Sequence, residues 1–427
     1  MNIFVLILGK VLSFVSKILN LGNGSTWPGH IALFLNPNFI SSILNNSKIT
    51  VIFVTGTNGK TTTTKLIKTI LEENGKSVFV NQSGANLLNG VASALILEAS
   101  IFGRIRKDFA VFEIDENSLA GVSLKIKPDY LIALDLFRDQ LDRYGEIDII
   151  SKNWFLVYEK IKDKTKFILN ADDPQIAYLG MSAKANCIYF GLNDVSLKTK
   201  IPQHAADSVL CPKCSYKLVF NPVYLSHLGN WSCPNCNLKR PKLDIEKNDV
   251  YPLDGVYNIY NVLASVLLAK KIGLSEININ NALKDFKPAF GRQEELMVGN
   301  KKVKLFLAKN PTSFNESLRT IKNLDAKYLL IILNDRIPDG RDVSWIWDVD
   351  FEIFVNSEIK IFTAGDRAWD MALRINYAKL QTSTFENLEE ALKESFKFIS
   401  KNEILYVLPT YSAMLEARKI LTGKKIL

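Results

Sequence analysis

From residue 49 to about 190, short apolar β-branched runs alternate with stretches of helical spacing. Residues 49–54, 77–81, 109–114, 129–135 and 166–170 have the length and composition of buried strands, and Cys187-Ile188-Tyr189-Phe190 reads as another. Helical periodicity over about 60–74, 90–100 and 148–162 is long enough to carry crossovers between parallel strands. Residues 204–242 break the rhythm with Cys, Pro, Asn and Lys and read as an insertion, followed by helices at 256–271 and 275–286. A second series begins near 300, with strands expected at 303–308, 328–333, 351–355, 360–363 and 404–408 and helices near 314–322, 386–399 and 410–421. The pattern predicts an α/β protein with parallel sheets. It divides into an N-terminal arm over 1–48, a central nucleotide-binding domain over 49–295 interrupted at about 205–242, and a Rossmann-like C-terminal domain over 296–427.

A chain of 427 residues is long for one core, in keeping with that division. With 47% hydrophobic and 23% charged residues it is an ordinary globular protein. The net charge of +9 suits nucleic acid, an anionic membrane surface or a phosphorylated substrate. No segment has the basic and aromatic signature of a nucleic-acid module, so no nucleic-acid partner is expected. The apolar start is interrupted by Lys10 and Lys17 before it reaches membrane-spanning length, and it lacks the features of a secretory signal. A cytoplasmic location is therefore expected. Residues 3–19 form either an amphipathic helix touching a membrane surface or an arm packed on the protein's own core.

The strongest chemical signal is Thr55-Gly56-Thr57-Asn58-Gly59-Lys60-Thr61-Thr62, between the strand 49–54 and a helix. Glycines let backbone approach polyanionic oxygens, the helix start offers free N–H groups, Lys60 carries a mobile charge and the Thr61 hydroxyl can reach magnesium. Val54 occupies the place where the ordinary phosphate loop has its first glycine, so this loop is a variant. Glu113, at the carboxyl end of the strand 109–114, joins Thr61 and the phosphates of ATP as the expected magnesium set. Asp115 and Glu116 are either alternates or caps of the next helix.

Cys211-Pro-Lys-Cys214 and Cys233-Pro-Asn-Cys236, eighteen residues apart, have four-cysteine zinc spacing. Two such turns close a tetrahedron with no open position, which predicts a structural ion; a redox pair is the alternative. His227, inside the insertion, is expected at the surface or in packing, and Cys187 as a small buried hydrophobe.

Together these residues resemble the Mur ligase superfamily, in which ATP activates a carboxylate as an acyl phosphate for attack by an amine. Beside the loop and Glu113, the similarity lies in Asn170-Ala171-Asp172-Asp173-Pro174, in Gly255-Val256-Tyr257-Asn258-Ile259-Tyr260-Asn261, with Tyr257 where histidine is usual, and in Phe290-Gly291-Arg292-Gln293-Glu294. It implies nucleotide contacts from residues 56–62, Asn258, Asn261, Arg292 and Asp335, and a catalytic part for Lys60 and Glu113. The short segment before the loop is too small for a UDP-sugar-binding domain. Gln140 replaces a usual histidine, Lys152 is the nearest candidate for a modified lysine, and Phe306 stands where an acid is usual before Ala308-Lys309-Asn310-Pro311. With the ribbon, and with the segments at 24–29, 83–86, 334–336 and 339–348, these departures point within the superfamily to the branch that amidates lipid II.

That branch implies an ATP-dependent carbon–nitrogen ligase that converts the D-glutamate α-carboxylate of lipid II to D-isoglutamine, with ammonia from a GatD-type glutaminase. ATP, magnesium and zinc are the implied cofactors. An aspartate of the C-terminal domain, Asp348 with Asp342 as alternative, is implied to orient the glutaminase's histidine. An amino-acid-adding Mur-type ligase, a zinc-ribbon NTPase acting on nucleic acid and a nucleotide-binding scaffold without chemistry remain alternatives.

Overall fold

The structure is a computed structural model that describes residues 2–18, 26–81, 85–139, 147–199 and 204–423. Gly24 and Ser25, Ser83 and Gly84, and the segment Gln140–Tyr144 with its missing histidine lie outside the described residues.

Strands β1 (Thr50–Thr55), β2 (Val78–Val80), β3 (Phe109–Glu113), β4 (Tyr130–Ala133), β5 (Lys166–Asn170) and β6 (Cys187–Phe190) form one sheet in the order β2-β3-β1-β4-β5-β6. Every neighbouring pair is parallel. Alternate residues of β1 enter opposite cores, as a two-residue period requires. Val51 and Phe53 pack with the helices Leu88–Glu98 and Ile147–Ile161, whereas Ile52 and Val54 pack with Lys60–Glu73 and Val256–Ile272. Both faces are covered, which is why the strands read as unbroken apolar runs. The helices Asn2–Ile18, Trp27–Leu35 and Phe39–Asn45 of the N-terminal arm add Val5, Leu6, Ala32 and Ile40 to the first of these cores.

The insertion contains an antiparallel hairpin, β7 (Val219–Leu225) and β8 (Leu228–Ser232). Two buried contacts fasten it to the sheet. Trp231 Nε1 donates to the Ala171 carbonyl at 2.9 Å, and Arg240 Nη1 lies 2.8 Å from Asp172 Oδ1. His227 is buried beside Phe137, ring centroids 4.4 Å apart, with Nε2 3.6 Å from Asp173 Oδ2.

A second sheet begins at Arg292. Its strands β9 (Arg292–Val298), β10 (Lys301–Phe306), β11 (Tyr328–Ile332), β12 (Lys360–Ala364), β13 (Thr382–Thr384) and β14 (Ile404–Pro409) run in the order β13-β12-β11-β14-β10-β9. All neighbours are parallel except β9, which is antiparallel to β10. The expected strand at 351–355 is instead a 3-10 turn, Phe351–Phe354. Three residues per turn bring Phe351 and Phe354 to the same side, and both are buried. The helices Trp27–Leu35, Pro174–Ser182 and Ala368–Tyr377 and the strand β9 were not evident from periodicity. Among the described residues, no helix is long and apolar enough to cross a membrane.

Candidate active site

β1 delivers the chain into the phosphate loop, and the helix Lys60–Glu73 leaves it. Gly56 has φ +136° and Gly59 φ +82°, conformations closed to most residues; a Cβ on Gly59 would lie 2.1 Å from Asn261 Oδ1. The loop is pinned from the end of β4. Asp135 accepts the Thr57 N–H at its carbonyl (3.0 Å) and the Asn58 N–H at Oδ1 (2.7 Å). Thr57 Oγ1 donates to the Phe137 carbonyl at 3.2 Å and accepts the Phe137 N–H at 3.0 Å. Burial pushes the Asp135 carboxyl up to about 8, against the Asn58 N–H that favours its charged form.

Lys60 is buried, with Nζ 2.9 Å from Glu116 Oε2 and donating to the carbonyls of Gly56 and Thr57. Burial works to discharge it, but Glu116, Asp115 and Glu113 outweigh that, so its pKa rises. Glu116 is thus the lysine's partner. Asp115 Oδ1 accepts the Asn117 N–H at 3.1 Å in an Asx turn, and its carboxyl is pushed up by burial and by Glu116. Asn81 fixes the end of β3 by hydrogen bonds to the backbone of Glu113 at 2.8 and 2.9 Å.

Thr61 Oγ1 and Glu113 Oε2 are 2.9 Å apart. An octahedral cation with oxygens at about 2.1 Å requires cis ligands about 3 Å apart, so this pair fits magnesium. When bound, magnesium would neutralise phosphate charge there. The four cysteines also fit their ion. Their Sγ atoms lie within 4.8 Å of one another, with Cys211–Cys236 at 3.6 Å and Cys214–Cys233 at 3.5 Å. A zinc tetrahedron with bonds of about 2.3 Å has edges of about 3.8 Å.

A cavity of about 530 Å³ opens over the loop and is shared by both sheets' domains. Residues 57–62, Glu113, Asn258 and Asn261 line it from one side, and Arg292, Phe306, Lys309, Thr312, Ser313 and Glu316 from the other. Its size is that of a small-molecule site. Two helix N-termini contribute, Lys60–Glu73 and Pro311–Asn323, whose first turns carry partial positive charge. Asn310 caps the second helix, accepting from the Ser313 N–H at 2.9 Å, and its Nδ2 donates to Asn58 Oδ1 at 3.1 Å. Arg292 is partly buried and, among the described residues, has no ion-pair partner, which leaves its guanidinium to an anion. Asn258 and Asn261 hydrogen-bond to one another at 3.1 Å, and Asn261 also accepts from Thr63 Oγ1 at 3.2 Å.

Not every expected residue reaches this cavity. Gly56 is not part of the lining. Asp335 pairs with Arg367 at 3.2 Å and is outside the lining, and Lys152 is exposed on the helix Ile147–Ile161. Asp348 lines an adjoining cleft with Arg138, Asp139, Lys309 and Asp342, and its Oδ2 is 3.4 Å from Arg138 Nη2. Asp342 is exposed and accepts the Ser344 N–H at 2.8 Å. Lys309, paired with Asp139, lines both spaces.

The sequence reading passed over Asp135 and Asn310. Asp135 follows the same strand-end rule that found Glu113, and Asn310-Pro311 is a helix-start signature.

The fold and the cavity define a class, the Mur ligases. Solved structures share the fold: a pseudomurein peptide ligase type C from Methanothermus fervidus (TM-score 0.65, 22% identity, 88% of this chain and 79% of that one) and MurF from Acinetobacter baumannii (0.63, 19%, 92% and 80%). So does MurF from Thermotoga maritima in complex with ADP (0.63, 14%, 91% and 83%). The Mur ligase middle domain family matches residues 54–269, and the MurT ligase C-terminal family matches 307–414. Two relatives are named lipid II isoglutaminyl synthase (glutamine-hydrolyzing) subunit MurT. The one from Streptococcus pneumoniae is 33% identical over 99% of this chain and 97% of its own length, and the one from Staphylococcus aureus is 31% identical over 92% and 91%. The chain belongs to the MurT family of Mur ligases.

Proposed function

We propose that this chain is the ATP-dependent synthetase subunit that amidates lipid II in peptidoglycan synthesis. The full-length similarity to subunits of that name carries the reading, and the Thr61–Glu113 pair in a two-domain cavity supports its chemistry. The division into 1–48, 49–295 and 296–427 belongs to this reading, as does a position at the inner face of a membrane, where a lipid-linked substrate is met.

An oxygen of the D-glutamate α-carboxylate attacks the γ-phosphorus of ATP, the bond to the bridging oxygen breaks and ADP departs. Lys60 and Arg292 hold charge on the transferring phosphoryl, and both helix N-termini favour it. Ammonia then attacks the carbonyl carbon of the acyl phosphate, phosphate leaves and a proton is released, giving D-isoglutamine. Free ammonia is scarce at neutral pH, so delivery from a docked GatD-type glutaminase raises its effective concentration.

Asp348 is assigned to that partner's active site, with Asp342 as alternative. The surface near it suits an interface. Trp369, Leu373 and Tyr377 recur every four residues on the helix Ala368–Tyr377 and are exposed, and Tyr377 meets exposed Trp347 edge-to-face at 5.2 Å.

Mass spectrometry of lipid II with this protein, ATP and magnesium tests the reading, under two nitrogen supplies. With an ammonium salt, one carboxyl should become an amide in wild type and in Asp348→Asn but not in Lys60→Ala. With glutamine and the glutaminase, Asp348→Asn should fail as well. No amidation by wild type under either supply, or incorporation of an amino acid instead, would overturn it.

A further inference from the structure

The helix Asn2–Ile18 packs one side on the protein and turns an apolar side outward. Toward the protein, Val5, Leu6 and Gly9 are buried, and a Cβ on Gly9 would lie 2.9 Å from Ile96 Cγ2, so its backbone rests on the helix Leu88–Glu98. Helical spacing puts Ile3, Phe4, Ile7, Val11, Phe14 and Val15 on the opposite side. All six are exposed, Phe4 and Phe14 to 65%.

The helix Trp27–Leu35 lies beside it on the same support. A Cβ on Gly29 would fall 1.9 Å from the Asn89 carbonyl oxygen, and on the side away from Gly29, Trp27 and Phe34 are 67% and 87% exposed. Two neighbouring helices resting on a third therefore turn their apolar faces outward together. Isolated exposed apolar side chains are common, but a continuous apolar helix face such as that from Ile3 to Val15 is an interaction surface, and exposed His30 lies at the edge of the second helix's face.

Its border is largely cationic. Lys10 flanks the stripe, donating to the Leu97 carbonyl at 3.1 Å, with Glu98 as the nearby acid. Arg104 and Arg106 are exposed on the loop whose Gly103 abuts Leu6 and Ile43.

We propose that this face docks on the anionic surface of a lipid bilayer, with both helices lying in the interface and their outward aromatics among the acyl chains. The cations match anionic headgroups, and Trp27 suits the interfacial zone. A second copy of the chain in two-fold contact would bring these cations together. The glutaminase is assigned its own aromatic surface near Asp348. The purpose of the docking, access to a lipid-linked substrate, rests on the function proposed above; its geometry does not.

The test uses the full chain and sedimentation with vesicles of phosphatidylcholine, with and without phosphatidylglycerol. Wild type should bind, more tightly with phosphatidylglycerol and more weakly at high salt. Phe14→Glu and Phe34→Glu should each weaken binding by about tenfold or more, with zinc content and melting temperature unchanged. Both variants should amidate a short-chain, water-soluble lipid II analogue at the wild-type rate and lose turnover only on vesicle-embedded lipid II.

Wild type that ignores both vesicles, or folded variants that bind as wild type does, would overturn the proposal. So would a dimer in sedimentation equilibrium that Phe14→Glu dissociates. Vesicle binding without amidation of either substrate would sink the proposed function and leave the docking surface standing.

Discussion

The Lys60 ammonium lies 2.9 Å from Glu116 Oε2, and both side chains are almost wholly withdrawn from water. The lysine that serves the phosphates is therefore held in place by a carboxylate beyond β3 and by its own loop's carbonyls. Burial opposes charge on both partners, yet Lys60 is shifted up and Glu116 down, so the pair stays ionised.

Removing one partner leaves the other as a buried, uncompensated charge, at a cost of about 3–5 kcal/mol. Lys60→Met alone should lose stability on that scale, and Lys60→Met with Glu116→Gln should recover most of it. Neither should amidate. Urea denaturation of Lys60→Met, of Glu116→Gln and of the double variant checks this, and simple additivity would contradict it.

Thr61 and Glu113 are the pair on which the magnesium requirement depends. Thr61→Ala and Glu113→Gln should each raise the magnesium concentration for half-maximal ATP turnover by at least about tenfold, the cost of losing even an outer-shell partner. Lys152→Ala should leave it unchanged, because Lys152 is exposed outside the cavity. Magnesium titrations of the three variants decide.

Asp135 should make stability depend on pH. Its carboxyl titrates near 4 when unfolded and, raised by burial, at about 8 when folded. Between those values the folded chain holds a proton that the unfolded chain has released, so its contribution to stability falls as pH rises and levels off above about 8. In Asp135→Asn, Oδ1 still accepts the Asn58 N–H without titrating. The wild-type advantage over this variant should shrink as pH rises toward about 8, read from urea midpoints across that interval.

Zinc should be structural. Cys214→Ser and Cys233→Ser should lose the metal and lower Tm by roughly 5 °C or more, since the ribbon is docked through Trp231 and Arg240. Cys187→Ser, on β6 away from the cluster, should keep the metal. Metal analysis with thermal denaturation checks both.

Much of the central site was legible because its parts are local. A strand, two glycines, Lys60 and Thr61 lie within a dozen residues, and the spacing of Cys211, Cys214, Cys233 and Cys236 reflects the turns that hold their thiolates. Glu113 was found by its place at a strand end. The apolar run at 351–355 misled, because two phenylalanines three apart satisfy a 3-10 turn as well as a buried strand.

By itself the sequence determined the alternating α/β architecture, the phosphate loop and the four-cysteine cluster, since each follows from side-chain periodicity or short-range spacing. Tertiary structure decided which distant groups meet. It put Asn310 against Asn58 and Glu116 against Lys60, and it set Asp335 on Arg367 outside the cavity. It also chose which side of the apolar helix Asn2–Ile18 is buried. That choice depends on Gly9 fitting closely against Ile96, a long-range packing contact that the pattern of one helix cannot specify.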